Sequence, residues 1–141
     1  MALKNYDSQG ATVSFGTSAL TGKITSIGAT EQSRAALDIS DLSIAAGDPK
    51  RFIPADLYDP GSFSVEFLFS SAQALGAIDS LAETITVTFP KATAAGSAAT
   101  FAGTGFISSR STPEVGVGEI MKMNVTVQWD GETEPTYSVG S

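Results

Sequence analysis

Residues Gly61–Phe69 read GSFSVEFLF and alternate along the chain between two kinds of side chain. Phe63, Val65, Phe67 and Phe69 form one set, and the positions between them carry serine, glutamate and leucine. Because successive side chains of a β-strand point to opposite faces, this pattern predicts a half-buried strand with one aromatic face. Each phenylalanine would bury roughly 150–250 Å², so we expect this strand to dominate the core.

Other stretches of the sequence show similar alternation or strand-like composition. Within the candidate at 98–110, Phe101 and Phe106 fall in opposite phase, which predicts a bulge near Gly103 and Gly105. The candidate at 117–129 is the longest. The further strand candidates are Ala11–Phe15, a weak one around Ile24, Ser33–Ile39, Glu83–Phe89, Ala98–Arg110 and Val117–Trp129.

Ser71–Ala82 differs from the strands because its apolar residues, Leu75 and Ile78 among them, recur at helical spacing. Six to eight strands with one apolar and one Thr/Ser/Asn face then predict a mainly β fold. We expect an antiparallel β-sandwich or barrel with one packed α-helix and a long apolar loop. A chain of 141 residues fits a single domain, 1–141. Its polar ends predict a flexible amino-terminal arm at 1–10 and a fraying tail at 130–141.

The long loop at 41–60 contains glycine and proline breakers but is unusually apolar. Connections of about 20 residues without secondary structure are uncommon and often functional. This one either folds over its own core or reaches a neighbouring subunit, and composition leaves both open. Its basic pair either aids solubility or meets a neighbour's carboxylates. The residues predicted to contact another subunit are Leu42, Ile44, Lys50, Arg51, Phe52, Ile53, Leu57 and Tyr58.

The composition excludes several classes of function. With 8 basic and 15 acidic residues, the net charge of −7 argues against binding nucleic acid by neutralising phosphates. The absence of histidine and cysteine rules out Ser-His-Asp and Cys-His catalytic sites and leaves zinc only oxygen ligands. No apolar run approaches the roughly 20 residues of a membrane span. We therefore expect no enzymatic activity, no catalytic residue, no metal and no cofactor.

Four short motifs follow one another between residues 22 and 66. They read GKITSIG at Gly22–Gly28, RAALDIS at Arg34–Ser40, RFIPADL at Arg51–Leu57 and YDPGSFSVE at Tyr58–Glu66. In this order they resemble the major tail tube proteins of long-tailed bacteriophages, a family that shares its fold with the tube protein of type VI secretion. The remainder of the chain resembles that family only in the order of its elements.

This resemblance implies a structural virion protein that forms hexameric rings, stacked into the tail tube through which DNA leaves during ejection. The implied partners are other copies of the chain, tape-measure and tail-terminator proteins, and DNA that passes without specific binding. The implied location is the virion tail, after assembly in the host cytoplasm. Two other interpretations stay open: another virion component, such as a head decoration or tail terminator, or a non-enzymatic glycan- or metal-binding β-module.

The side of the strand at 61–69 that carries serine and glutamate is a candidate for the inner wall of such a tube. If the sheets of six subunits join edge to edge, the aromatic face must point away from the lumen. A ring of Glu66 carboxylates would then repel DNA phosphates. Alternatively, Glu66 is an ordinary solvated charge on the outer surface. The residues predicted to face the lumen are Ser62, Ser64, Glu66, Thr84, Thr86 and Thr88.

Overall fold

A computed structural model describes residues 9–17, 20, 23–71, 75, 78–79, 81–93 and 95–140. Within these residues the chain is mainly β, with antiparallel strands arranged in two sheets, as the alternating patterns predict. The strands are β1 (Thr12–Phe15), β2 (Lys23–Ile27), β3 (Ser33–Asp38), β4 (Phe52–Asp59), β5 (Ser62–Leu68), β6 (Glu83–Thr88), β7 (Thr100–Arg110), β8 (Lys122–Trp129) and β9 (Thr136–Ser138).

The larger sheet has seven strands in the order β1-β6-β7-β8-β5-β2, and β9 also pairs with β7. Strand β5 lies against β8, and their apolar residues stand directly opposite one another, as Val65 and Val125 do. This confirms that the aromatic strand lies in the core. The buried apolar residues are Val13, Leu20, Phe63, Val65, Phe67, Ile85, Val87, Ile107, Met123, Val125, Val127 and Trp129.

Trp129 is the largest fully buried side chain and joins several parts of the core. Its ring centroid lies 5.3 Å from that of Phe63 and 5.5 Å from that of Phe101. Its indole N–H donates a hydrogen bond to the Thr30 hydroxyl at 3.2 Å, so the one polar atom of the side chain is not left unpaired. Aromatic pairs of this kind contribute about 0.5–1.5 kcal/mol beyond the area they bury.

The irregularity predicted in β7 occurs, but at another position. Gly103 and Gly105 pair regularly with β6, and the register shift lies between Ile107 and Ser109, opposite β8. Ile107 is buried, whereas Phe106 is on the opposite face and 36% exposed. The prediction of a bulge near Gly103 and Gly105 is therefore wrong, and Phe101 and Phe106 remain on opposite faces of β7.

The end of the chain differs from the prediction in two places. The segment Val117–Trp129 becomes a strand only from Lys122 onward, because Gly118 has a φ of 75° in a turn and Val117 is fully exposed. Thr136–Ser138 forms β9 against β7, so this part of the tail predicted to fray is hydrogen-bonded to the sheet.

The predicted helix at Ser71–Ala82 is not seen. Residues 72–74, 76–77 and 80 lie outside the described residues, as do residues 1–8 of the predicted amino-terminal arm, and the described part of the chain contains no helix. Leu75 packs against the core, but Leu81 is 89% exposed. The predicted apolar stripe therefore does not bury as one face. It follows that no helix in the described part could cross a membrane.

The smaller sheet consists of β3 and β4 alone. We call Ser33–Asp59, which contains both strands and their connection, the hairpin. The predicted loop at 41–60 is wrong over its second half, because Phe52–Asp59 forms β4. Pro54 is accepted there because, among the strands of the described residues, β4 pairs only with β3, and a strand with one partner does not need every backbone N–H.

Candidate interaction surfaces

The hairpin stands apart from the core. Every residue of β3 is exposed, as is every residue of β4 except Ala55. None of the buried core residues belongs to the hairpin. The interpretation of this segment as a cover over its own core is therefore wrong. A two-stranded sheet with water on both sides is only marginally stable by itself. Burial of one face against a partner would therefore stabilise the hairpin.

Apolar side chains occupy both faces of the hairpin. Leu37 lies opposite Ile53, and the Ile39 N–H donates to the Arg51 carbonyl oxygen at 2.9 Å, which places Ile39 on the same face as Leu37. These three apolar side chains are 44–50% exposed, and Phe52, on the other face, is 55% exposed. Exposed apolar clusters of this kind are characteristic of interaction surfaces.

All eight residues predicted to contact another subunit belong to the hairpin, and all but Ile44 are exposed. Leu42 and Leu57 are the most exposed of them, at 105% and 85%. Sequence reasoning missed Leu37 and Ile39 as surface residues, because their alternation resembles that of a core strand. The two residues directly precede the apolar segment that begins after Asp41, and this proximity in the sequence could have marked them as part of the same surface.

Hydrogen bonds within the hairpin fix its shape. The register of the two strands shifts between Arg34 and Ala36, and the Arg34 guanidinium donates to the Ala55 carbonyl oxygen in the irregular stretch. At the tip, the Asp41 carboxylate accepts hydrogen bonds from the Ser43 hydroxyl and backbone N–H, which lower the pKa of Asp41. A surface ordered before binding loses less conformational entropy when it docks.

The base of the hairpin is hydrogen-bonded to the connection between β8 and β9. The Tyr58 hydroxyl donates to the Glu134 carboxylate at 2.6 Å, and this hydrogen bond raises the pKa of Tyr58. Gly61, just after the hairpin, has a φ of 87°, and a methyl group on it would collide with the Glu31 carbonyl oxygen. The chain therefore needs glycine where it enters β5.

The six residues predicted to face the lumen share one surface, the face of the larger sheet opposite the core. Ser62 lies opposite Gln128, and Thr84 lies opposite Thr104, in strands whose alternate residues are buried. We call this surface the polar face. It continues across β1, where Thr12 lies opposite Thr88. The structure thus groups the six residues, and their position in a lumen stays a prediction.

Glu66 does not stand alone on the polar face. Its Oε1 accepts a hydrogen bond from the Thr25 hydroxyl at 2.7 Å and lies 3.6 Å from the Lys122 Nζ. Lys23 and Lys122 both lie opposite Leu68, one on each neighbouring strand. The sequence pattern did not reveal this pairing, because it depends on β5 lying between β2 and β8.

A cleft of about 950 Å³ opens on the inner side of the larger sheet. Residues of β2, β5, β6 and β7 line it, among them Ile24, Phe63, Val87 and Phe101, and none of its lining residues is charged. No group of three or more acidic, histidine or cysteine side chains in the described ranges could hold a metal ion. The cleft is therefore lined by uncharged side chains, some apolar and some polar, such as Thr30 and Gln32.

Comparison with protein-family models finds no match for this chain, and comparison with curated proteins finds none either.

Proposed function

We propose that the protein is a structural subunit of the phage tail-tube type, which assembles when the hairpin of one copy docks on another. The exposed hairpin is the observation that carries this proposal. Full burial of Phe52 or Leu57 at such a contact would contribute about 1.5–3 kcal/mol each. A contact between two different surfaces of the same chain repeats from copy to copy, so it builds rings or open filaments.

The larger sheet supports the same proposal. Residues from β2 and β5 and from β6 and β7 line a single cleft, which favours a sandwich in which the two halves of the sheet face each other. In the described residues, β1 and β2 end the strand order and have no further partner strand. Pairing of such edges between copies would leave fewer unpaired strand edges exposed, and exposed edges promote aggregation. In such a sandwich the outward faces of the two halves point in opposite directions, so only one half of the polar face, that of β2, β5 and β8 or that of β1, β6 and β7, would line a lumen.

The function and partners of the proposed tube come from the resemblance carried by the motifs between residues 22 and 66. Stacked rings of six copies would carry DNA through the virion tail, and tape-measure and tail-terminator proteins would contact the tube. In this role the protein would have no catalytic residue and no cofactor. The uncharged cleft and the hydroxyl-rich polar face are compatible with a purely structural part.

Excision of the hairpin tests the proposal. Ser33 and Asp59 lie directly opposite each other, so an Asn-Gly turn can replace residues 34–58 without stretching the chain. The variant should remain a folded monomer, because the core residues all lie elsewhere. It should form no tubes in negative-stain micrographs under conditions where the full chain does.

Size-exclusion chromatography and circular dichroism of the same variant provide the control for folding. A folded variant that still assembles into tubes would contradict the docking role of the hairpin. A full chain that stays a monomer or stops at a trimer would favour another virion component, and stabilisation by a glycan or by calcium would favour a binding module.

A further inference from the structure

The hairpin joins the rest of the protein through two short connections. In the described residues, β3 and β4 pack extensively against each other, and neither packs comparably against a strand of the larger sheet. Before β3, the Gly28 N–H donates to the Ser64 carbonyl oxygen at 2.6 Å. After β4, the Gly61 carbonyl oxygen accepts from the Trp129 backbone N–H at 3.1 Å. Both connections are therefore fixed to the larger sheet close to the base of the hairpin.

A third contact decides the angle at which the hairpin leaves the sheet. Two fixed connections still permit a rotation about the line that joins them, and no packing of β3 or β4 on the larger sheet opposes it. The Tyr58 hydroxyl, near the end of β4, donates to the Glu134 carboxylate at 2.6 Å. Because Glu134 belongs to neither connection, this hydrogen bond restricts the rotation that they leave open.

Glu134 itself is held in place. It lies in the connection between β8 and β9, which is hydrogen-bonded to β7. The Thr104 hydroxyl donates to the Asp130 carboxylate at 2.5 Å and accepts from the Thr133 N–H at 3.0 Å. The next residue, Pro135, is buried. The acceptor of the hydrogen bond is therefore carried by the larger sheet and not by a free end of the chain.

We infer that Glu134 is a positioning residue for assembly, which holds Tyr58 so that the hairpin extends at the angle needed to dock on a second copy of this chain. This inference rests on the proposed function, because a contact that repeats from copy to copy needs the same angle in every copy. A hairpin that rotated would present the docking angle only part of the time. The apparent affinity of the contact would fall by that fraction.

The distance between the hairpin and the larger sheet can be measured directly, because the chain has no cysteine of its own. Ala46→Cys in the exposed tip and Asn124→Cys in β8 place one spin label on each part of the full-length protein. Double electron–electron resonance, below the concentration of assembly, should then give one narrow distribution of distances. Tyr58→Phe and Glu134→Ala should each broaden it, because each removes one partner of the hydrogen bond.

Two control variants separate this hydrogen bond from a general effect of substitution. Glu134→Gln keeps an oxygen that can accept from the phenol, so the distribution should stay narrow. Tyr137→Phe removes the hydroxyl of an exposed tyrosine in β9, and it should also leave the distribution narrow. Thermal melts establish that every variant is folded before its distances are measured.

Assembly of the unlabelled proteins should follow the same order. A hydrogen bond to a charged acceptor favours one arrangement about tenfold or more, so Tyr58→Phe should need about ten times more protein to form tubes in negative stain. An unchanged distance distribution in Tyr58→Phe or Glu134→Ala, or equal broadening in Tyr137→Phe, would overturn the inference. An unchanged assembly threshold despite broadening would overturn it too.

The two proposals fail in different measurements. Tubes of the wild type without broadening in the variants would refute only the role of Glu134. Broadening in the variants, with a wild type that forms no tubes, would refute only the proposed function, because the distances are measured on the monomer.

Discussion

Phe67 and Phe52 allow one substitution, phenylalanine to alanine, to be made in the core and in the hairpin. Phe67 is 0% exposed in the larger sheet, and Phe52 is 55% exposed in β4. Phe67→Ala should lower the free energy of unfolding by about 3–5 kcal/mol, because it removes buried area and leaves a cavity. Phe52→Ala should lower it by only about 1 kcal/mol, since less than half of that side chain is buried in the monomer.

In assembly the order of the two variants should reverse, so that the less stable variant assembles better. A domain of this size loses about 3 °C of Tm per kcal/mol, so Phe67→Ala should melt about 10–15 °C lower and Phe52→Ala about 3 °C lower. Folded Phe67→Ala should nevertheless assemble, because its surface is unchanged. Phe52→Ala should need a higher protein concentration to assemble, because it removes an apolar side chain that would dock on a neighbour.

Trp129, the only tryptophan, gives the signal for these measurements. It is buried in the core, so its fluorescence reports denaturant unfolding, and light scattering with negative stain reports assembly. Phe67→Leu, which leaves a smaller cavity and should cost less than the alanine substitution, serves if the alanine variant does not fold. Equal loss of stability in the two alanine variants would show that the hairpin belongs to the core. An unchanged assembly threshold for Phe52→Ala would refute its docking role.

Two further predictions concern the hairpin and its base. Gly61→Ala should destabilise the protein by more than about 2 kcal/mol, because it combines a positive φ with a collision against a backbone carbonyl. Gly47→Ala, at a similar φ but in open space, should cost about 1 kcal/mol, and equal denaturation midpoints would contradict this account. The hydrogen bond from Tyr58 to Glu134 raises the phenol pKa above its usual 10.0. The contribution of this hydrogen bond to stability is therefore fully present below pH 10.0 and is lost as the pH rises through the pKa of the folded state. Hydrogen exchange in β4 should therefore be faster in Tyr58→Phe at pH 7. A rate equal to that of the wild type would show that the hydrogen bond from Tyr58 to Glu134 does not stabilise β4.

Local alternation predicted the strands that bury one face. In β5 and β6 the apolar residues are two positions apart, and the structure buries those residues while the residues between them are exposed or half-buried. Burial of one face is a property of each strand by itself, so periodicity alone reveals it. The predicted helix at Ser71–Ala82 is not seen in the described residues, and half of its span lies outside them. Helical spacing of apolar residues favours a helix only if they bury together, and Leu81 is exposed.

The hairpin shows where sequence reasoning loses its basis. A strand exposed on both faces need not alternate, and Pro54 argues against a strand, so the sequence of β4 predicts a loop. Only the fold shows that this segment pairs with β3 and with no other strand in the described part. The apolar content that made the segment a candidate for contacts was nevertheless visible in the sequence.

The sequence by itself determined the mainly β class, the inward faces of the central strands, the absence of histidine and cysteine chemistry, and the excess of negative charge. These features follow from composition and from spacing along the chain. The tertiary structure alone decided which strands are neighbours, and therefore which distant residues meet. Glu66 and Lys122 form an ion pair because β5 lies beside β8, and the hairpin is exposed because the larger sheet completes its core without it.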